Sequence, residues 1–171
     1  RRSSDLAGMD LTDWKNLGIP EDFAEKQLKV VDAFKKMGIT PVCTCTPYLA
    51  GNLPRFGDHL AWGESSAVCF ANSVIGARTN REGGPSALAA ALTGKTAEFG
   101  YHLEENRRAK VAIKVEAELN VIPDFGALGK LAGDLIGNKP ALFKGIKAAN
   151  TEQLKSFGAS IATYGGTAIY H

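Results

Sequence analysis

Cysteine is scarce in this chain of 171 residues: three in all, at positions 43, 45 and 69. So sparse and odd a set of thiols excludes the disulfide framework of a small secreted domain and points to a reducing, cytoplasmic setting. Long apolar runs are missing too. None approaches the roughly 20 residues of a membrane-spanning helix, so a soluble protein with no membrane partner is expected. Charge of one sign is also lacking, since 20 Lys and Arg stand against 18 Asp and Glu for a net charge of +2. The cations are interspersed with acids, which excludes the basic face of a nucleic-acid binder, and any anionic partner must be held locally. Repeats and low-complexity tracts are absent, which excludes solenoid arrays and linkers. The opening residues, RRSSDLAGMDL, hold no apolar signal-peptide core and do not start with Met, so a piece cut from a longer chain is expected.

What is present supports one core. Residues 1–171, 44% hydrophobic, are enough for a single α/β domain. In EDFAEKQLKVVDAFKKMG, Phe23, Ala24, Leu28, Val31 and Phe34 recur at helical spacing, with acids at the start and Lys35, Lys36 and Gly38 at the end. ITPVCTCT then predicts a buried strand, despite Pro41, with the two neighbouring cysteines at its carboxyl end. Residues 47–63 read as a long irregular loop, ordered by Tyr48, Phe56 and Trp62. ESSAVCFANSVIGA predicts a helix capped by Ser65 or Ser66, with Ala67, Phe70, Ala71, Val74 and Ile75 on one face. SALAAALTG resumes helix after Pro85, AKVAIKVEAEL is a strand, and IPDFGALGKLAGDLIG a helix. PALFKG is a short strand, NTEQLKSFGASIATYG a helix capped by Asn150 or Thr151, and TAIYH a last strand. Helices alternating with strands predict α/β with a mostly parallel sheet.

Chemistry concentrates in two places. In CTCTPYLAGNLP, Cys43 suits packing as a small buried hydrophobe. Cys45 stands where strand gives way to loop, the usual side for ligands in α/β sheets, and suits function. Zinc fits poorly, because Cys69 lies in an apolar helix and the usual pair spacing and a nearby His are missing. A cysteine nucleophile would need Cys45 activated by His59 or an Arg. The second place is ANSVIGARTNREGGP, where Asn72, Ser73, Arg78, Thr79 and Arg81 form a glycine-punctuated turn with two guanidiniums suited to a carboxylate or phosphate. His59 and Glu64 are candidates for proton transfer. His102 with Glu104 and Glu105 reads as a solvated, charge-mixed turn.

Residues 43–94, CTCTPYLAGNLPRFGDHLAWGESSAVCFANSVIGARTNREGGPSALAAALTG, closely resemble the large catalytic part of the aconitase X proteins. The order Cys-Thr-Pro-Tyr, Gly-Asp-His, Trp-Gly-Glu-Ser-Ser and Ala-Asn-Ser-Val-Ile-Gly-Ala-Arg-Thr-Asn carries the resemblance. It implies an aconitase-like α/β fold and an iron–sulfur hydro-lyase acting on a small anionic hydroxy-carboxylate. Mevalonate 5-phosphate, dehydrated to anhydromevalonate phosphate in isoprenoid synthesis, is the implied substrate, with cis-3-hydroxy-L-proline as the alternative. Carried over by position, Cys45 is implied as a cluster ligand, while Glu64, Ser65, Asn72, Ser73, Arg78, Thr79 and Arg81 line the substrate pocket. The implied cofactor is a 4Fe-4S rather than a 2Fe-2S cluster, expected to be missing from this segment alone, and the implied partner is a small swivelling subunit or domain. A non-catalytic anion-binding module without metal is the alternative of another class.

Overall fold

A computed structural model of the chain describes residues 3–4 and 8–171; part of the polar opening stretch falls outside them. Helix α1 (Glu21–Lys36) has Glu21 and Asp22 in its first turn and Lys35 and Lys36 in its last, charges that oppose the helix dipole at both ends. It buries Ala24 and Val31, but Phe23, part of the expected apolar stripe, is left exposed.

The strand expected over ITPVCTCT is much shorter than its composition suggested. Strand β2 is only Thr40–Pro41, pairing in parallel with β1 (Ser3–Ser4). Pro41 has no N–H to extend a ladder, and Cys43 adopts a left-handed φ of 49° that ends any extended run. Thr44 and Thr46 then bond each other through their hydroxyls at 3.2 Å. The cysteines therefore occupy a bend rather than a strand: Cys43 is half-buried and Cys45 exposed.

Helix α2 (Ser65–Phe70) passes into a single π turn, Ala71–Ile75. Its cap is Glu64 rather than either serine, because the longer carboxylate accepts from the Ala67 N–H at 2.6 Å and from the Ser66 hydroxyl at 2.5 Å. The π turn adds a residue to the spiral and rotates the side chains after it. Ala67, Phe70 and Ala71 are buried as expected, and Asn72 is buried with them, whereas Val74 turns outward.

Helix α3 (Gly84–Thr93) opens on Pro85 near its first position. A 3₁₀ turn at Gly100–His102 and the one-turn helix α4 (Glu104–Arg107) lead to β3 (Val111–Lys114). Helix α5 (Ile122–Ile136), β4 (Ala141–Lys144) and α6 (Thr151–Gly165) complete the element order. Asn150 caps α6 by accepting from the Gln153 N–H, and Gln153 returns the bond. The last expected strand contracts to one parallel bridge, Ala141 with Tyr170, flanked by reciprocal bonds between His171 and β4.

All the strand pairs and bridges among the described residues are parallel. Chain pieces joined by helical crossovers require that arrangement, and the architecture is α/β as the alternation implied. The core forms two clusters. One gathers Phe125, Ala132 and Ile136 of α5 with Phe157 and Ile161 of α6, together with Cys69 and Tyr170. The other gathers Tyr48, Trp62, Ala67, Val68, Phe70, Ala77 and Ala168. Phe143, Phe157 and Tyr170 meet edge to face in the first cluster, and Tyr48 stacks on Phe70 at 4.2 Å in the second.

Candidate functional site

The stretch read as loop is partly a parallel ladder. Residues 57–62 run beside 76–82, with Arg78 N–H donating to the Asp58 carbonyl and Leu60 N–H to the Arg78 carbonyl, both at 2.8 Å. The bridges His59–Arg78 and Trp62–Arg81 fix the register. This ladder positions nearly every polar residue of the Gly-Asp-His and Ala-Arg-Thr-Asn segments.

Behind it lies a hub built on Asn72. Its amide donates to the carbonyls of Thr79 and Ala168 at 2.8 and 2.9 Å, and its Oδ1 accepts from the Thr79 N–H and from Arg107, both at 3.0 Å. Arg107 is itself buried and also donates to the Tyr101 and Asn72 carbonyls. Burial and the nearby Arg78 pull its pKa down. Thr79 is fully buried, accepting from Trp62 N–H and donating to the Asn80 carbonyl. The Ser73 hydroxyl accepts from Tyr170 N–H. Asn72, Ser73 and Thr79 thus tie the segment around residue 79 to the chain's last residues.

Arg78 and Arg81 do not form one fork. Arg78 donates to the His102 carbonyl at 3.1 Å and pairs with Glu104, whose carboxyl it holds below the usual range. Arg81 points elsewhere, donating to the Gly166 carbonyl at 3.0 Å. His102 is no solvated turn residue. It is buried, with its Nδ1 at 2.8 Å from His59 Nδ1 and its Nε2 lacking a hydrogen-bond partner among the described residues. Burial first, then His59 and the neighbouring guanidiniums, push its pKa down against the opposing pull of Glu82.

Two clefts flank this arrangement. The larger, about 650 Å³, lies between residues 52–62 and the 87–96 stretch and contains Arg55, Asp58, His59, Trp62 and Lys95. The smaller, about 480 Å³, contains Arg81, Tyr101, Asn138 and Gly166. Among the residues singled out in the sequence, His59 lines the first and Arg81 the second. Glu64, Ser65, Asn72, Ser73, Arg78 and Thr79 line neither, Glu64 serving as a helix cap. Arg107 carried no sequence signal, because a one-turn helix among charges has no apolar period to mark a buried face.

The thiols do not converge. Cys69 is fully buried, and burial pushes its thiol up to about 12, so it stays protonated in the core. Burial also raises Cys43, only partly opposed by Lys35. Among the described residues, no three His, Cys, Asp or Glu side chains come close enough to hold a metal ion. The described donors therefore do not make a complete iron–sulfur site; of the three thiols, Cys45 is exposed, Cys43 half-buried and Cys69 buried.

Comparison with known proteins decides the lineage. The family model described as aconitase X first domain matches residues 3–105, more than half of the chain, and the aconitase X second domain matches 109–171. The chain belongs to the aconitase X family. The phosphomevalonate dehydratase large subunits of Methanosarcina mazei and Methanocaldococcus jannaschii are 57% and 55% identical to it, each aligned over 96% of this chain and 42% and 43% of their own length. A cis-3-hydroxy-L-proline dehydratase of Pseudomonas aeruginosa is 36% identical over 95% of this chain and 29% of its own. The crystal structure of Thermococcus kodakaraensis aconitase X, in holo form, superposes with a TM-score of 0.87 at 44% identity, covering 99% of this aconitase X chain and 50% of that one. The chain thus spans about two fifths of the length of these phosphomevalonate dehydratase large subunits and less of the hydroxyproline enzyme. No helix among the described residues is long and apolar enough to cross a membrane.

Proposed function

We propose that this aconitase X chain forms part of the large subunit of a hydro-lyase that dehydrates mevalonate 5-phosphate. The observation that carries the reading is that four phosphomevalonate dehydratase large subunits are 52–57% identical to the chain, against 33–36% for two cis-3-hydroxy-L-proline dehydratases, although a fifth large subunit, of Aeropyrum pernix, is 36% identical. In such a reaction a hydroxyl leaves one carbon, a proton leaves its neighbour, and the bonding pair remains as a double bond, with water as the other product. The large-subunit name of those relatives supports a small-subunit partner that completes the active site. Exposed Cys45 contributes one ligand of an iron–sulfur cluster whose remaining ligands lie outside this segment. Asn72, Ser73 and Thr79 act by holding the ladder in register, Arg78 and Arg81 supply positive charge on its two sides, and Glu64 and Ser65 fix the start of α2.

The test uses the complete two-subunit protein, loaded with iron and sulfide without oxygen. Turnover of mevalonate 5-phosphate, followed by phosphorus NMR, is the expected result, and turnover of cis-3-hydroxy-L-proline instead would move the chain to the other branch of the family. Cys45→Ser should strip most of the visible absorbance of the cluster while Cys43→Ser keeps it. Unchanged colour in Cys45→Ser rejects the ligand assignment.

A further inference from the structure

Apart from His59, the larger cleft holds none of the residues assigned to the dehydratase pocket. Its charged side chains are Arg55, Lys95 and Asp58, with hydroxyls from Thr93 and Thr96. Asp58 is partly committed already, since its Oδ2 accepts from the Arg55 backbone N–H at 2.8 Å. The cations and the imidazole are left to face the space.

Behind His59 stands buried His102, 5% exposed. Their rings lie within 15° of parallel, yet a separation of 2.8 Å between Nδ1 atoms is closer than stacked faces can approach. The rings therefore meet edge to edge in a shared hydrogen bond, in which one Nδ1 donates and the other accepts. The environment selects which. Arg78, Arg107 and His59 face His102, Glu82 is the opposing acid, and burial keeps the ring neutral. Were its proton on Nε2, a donor would be buried with no acceptor; with the proton on Nδ1, Nε2 is only a bare lone pair, the lesser cost. His102 is then the donor and His59 Nδ1 the acceptor. His59 must carry its own proton on Nε2, on the part of the ring turned away from His102.

We infer that the cleft formed by Arg55, His59 and Lys95 binds a small oxyanion, a phosphate or a carboxylate group, with His102 as the positioning residue that keeps His59 an N–H donor. Three donors of this kind around one concave space match the tetrahedral or planar oxygens of such a group. Binding is read without turnover, so failure here leaves the dehydratase reading standing, and the converse holds.

The experiment titrates the full chain, labelled with nitrogen-15 at histidine, with inorganic phosphate and separately with malonate. Saturable binding that shifts the His59 Nε2 signal is expected, and the free protein should show the proton on Nε2 of His59 and on Nδ1 of His102. Arg55→Ala and Lys95→Ala, both at exposed side chains, should each weaken binding about tenfold, the scale of one charge-assisted hydrogen bond. His102→Asn, which keeps a donor near the Nδ1 position, should retain affinity, and His102→Leu should lose it. Tighter phosphate binding assigns a phosphate ester as the ligand class, and tighter malonate a carboxylate. The inference falls if neither anion saturates, if Arg55→Ala and Lys95→Ala bind like wild type, or if His59 carries its proton on Nδ1. The tautomer measurement on wild type and the two surface variants decide the matter even if His102→Leu does not fold.

Discussion

His102 and Glu104 make the protein's stability respond to acid in two separate windows. The folded environment lowers the pKa of His102 from an ordinary 6.5, chiefly through burial. On lowering the pH through 6.5 the unfolded chain takes up a proton first, so stability conferred by the neutral ring is complete above 6.5 and declines as pH falls toward the folded value. Glu104, lowered from 4.5 by Arg78, acts in the same direction but only below 4.5. The urea midpoint should therefore drop between about pH 8 and pH 5 in wild type, and drop less in His102→Asn, which has nothing to titrate there. Equal slopes for the two proteins would show that His102 is not held neutral by the fold. Neither His102 nor Arg107 was legible in the sequence as a buried site. His102 and Arg107 sit in YHLEENRR, where the charges signal solvent, and their burial follows from the partners brought to them by Asn72 and His59.

At the scale of elements, helices with a sustained apolar period were readable, and so was the short strand in PALFKG, whereas the strands expected over ITPVCTCT and AKVAIKVEAEL came out shorter. Helices α1, α5 and α6 lie where their segments were expected to be helical, α1 burying Ala24 and Val31 of its stripe but not Phe23, and the Asn150 cap lies where Asn-Thr-Glu-Gln places it. The short strand at Thr40–Pro41 and the π turn at Ala71–Ile75 have no signature of that kind, because a left-handed Cys43 and an extra residue in a helix are settled by tertiary packing. The contact between α5 and α6 is encoded by glycine as well as by the hydrophobic residues of the first cluster. A Cβ on Gly129 would lie 2.8 Å from the Phe157 carbonyl oxygen and 3.0 Å from Ile161 N, both backbone atoms of α6. Gly129→Ala gains about 1 kcal/mol of helix propensity, yet must push the two helices apart at an overpacking cost of about 3 kcal/mol. A net loss of about 2 kcal/mol in urea denaturation is the expected outcome. Gly84→Ala is the control, since among the described residues nothing beyond its own helix and chain neighbours stands within 4 Å of the added carbon, and it should be neutral or stabilising by about 0.5 kcal/mol. If Gly129→Ala were the more stable of the pair, the close approach of α5 to α6 would be wrong.

For the molecule as a whole, the boundary between the two family-model segments near residues 105–109 coincides with no break in the core. Cys69, from the first segment, packs among Phe125, Ile136, Phe157 and Ile161 of the second. Ala168, from the second, packs among Tyr48, Trp62 and Phe70 of the first. Polar links run the same way: Asn72 to the Ala168 carbonyl, Ser73 to the Tyr170 N–H and Arg81 to the Gly166 carbonyl, while His171 Nε2 meets the carbonyl of Arg107, between the segments, at 2.7 Å. Parting the second segment from the first would take the Ala168 carbonyl from the buried Asn72 amide, at a desolvation cost of about 1–3 kcal/mol. The two segments should therefore unfold as one cooperative unit. A Trp14→Phe background leaves buried Trp62 as the single tryptophan and reporter of the first segment, and hydrogen exchange at the α5 and α6 amides reports the second. Coincident midpoints in urea are expected from both probes. Two separated midpoints would mean that the segments are independent domains and that the interlocked core is too weak to couple them.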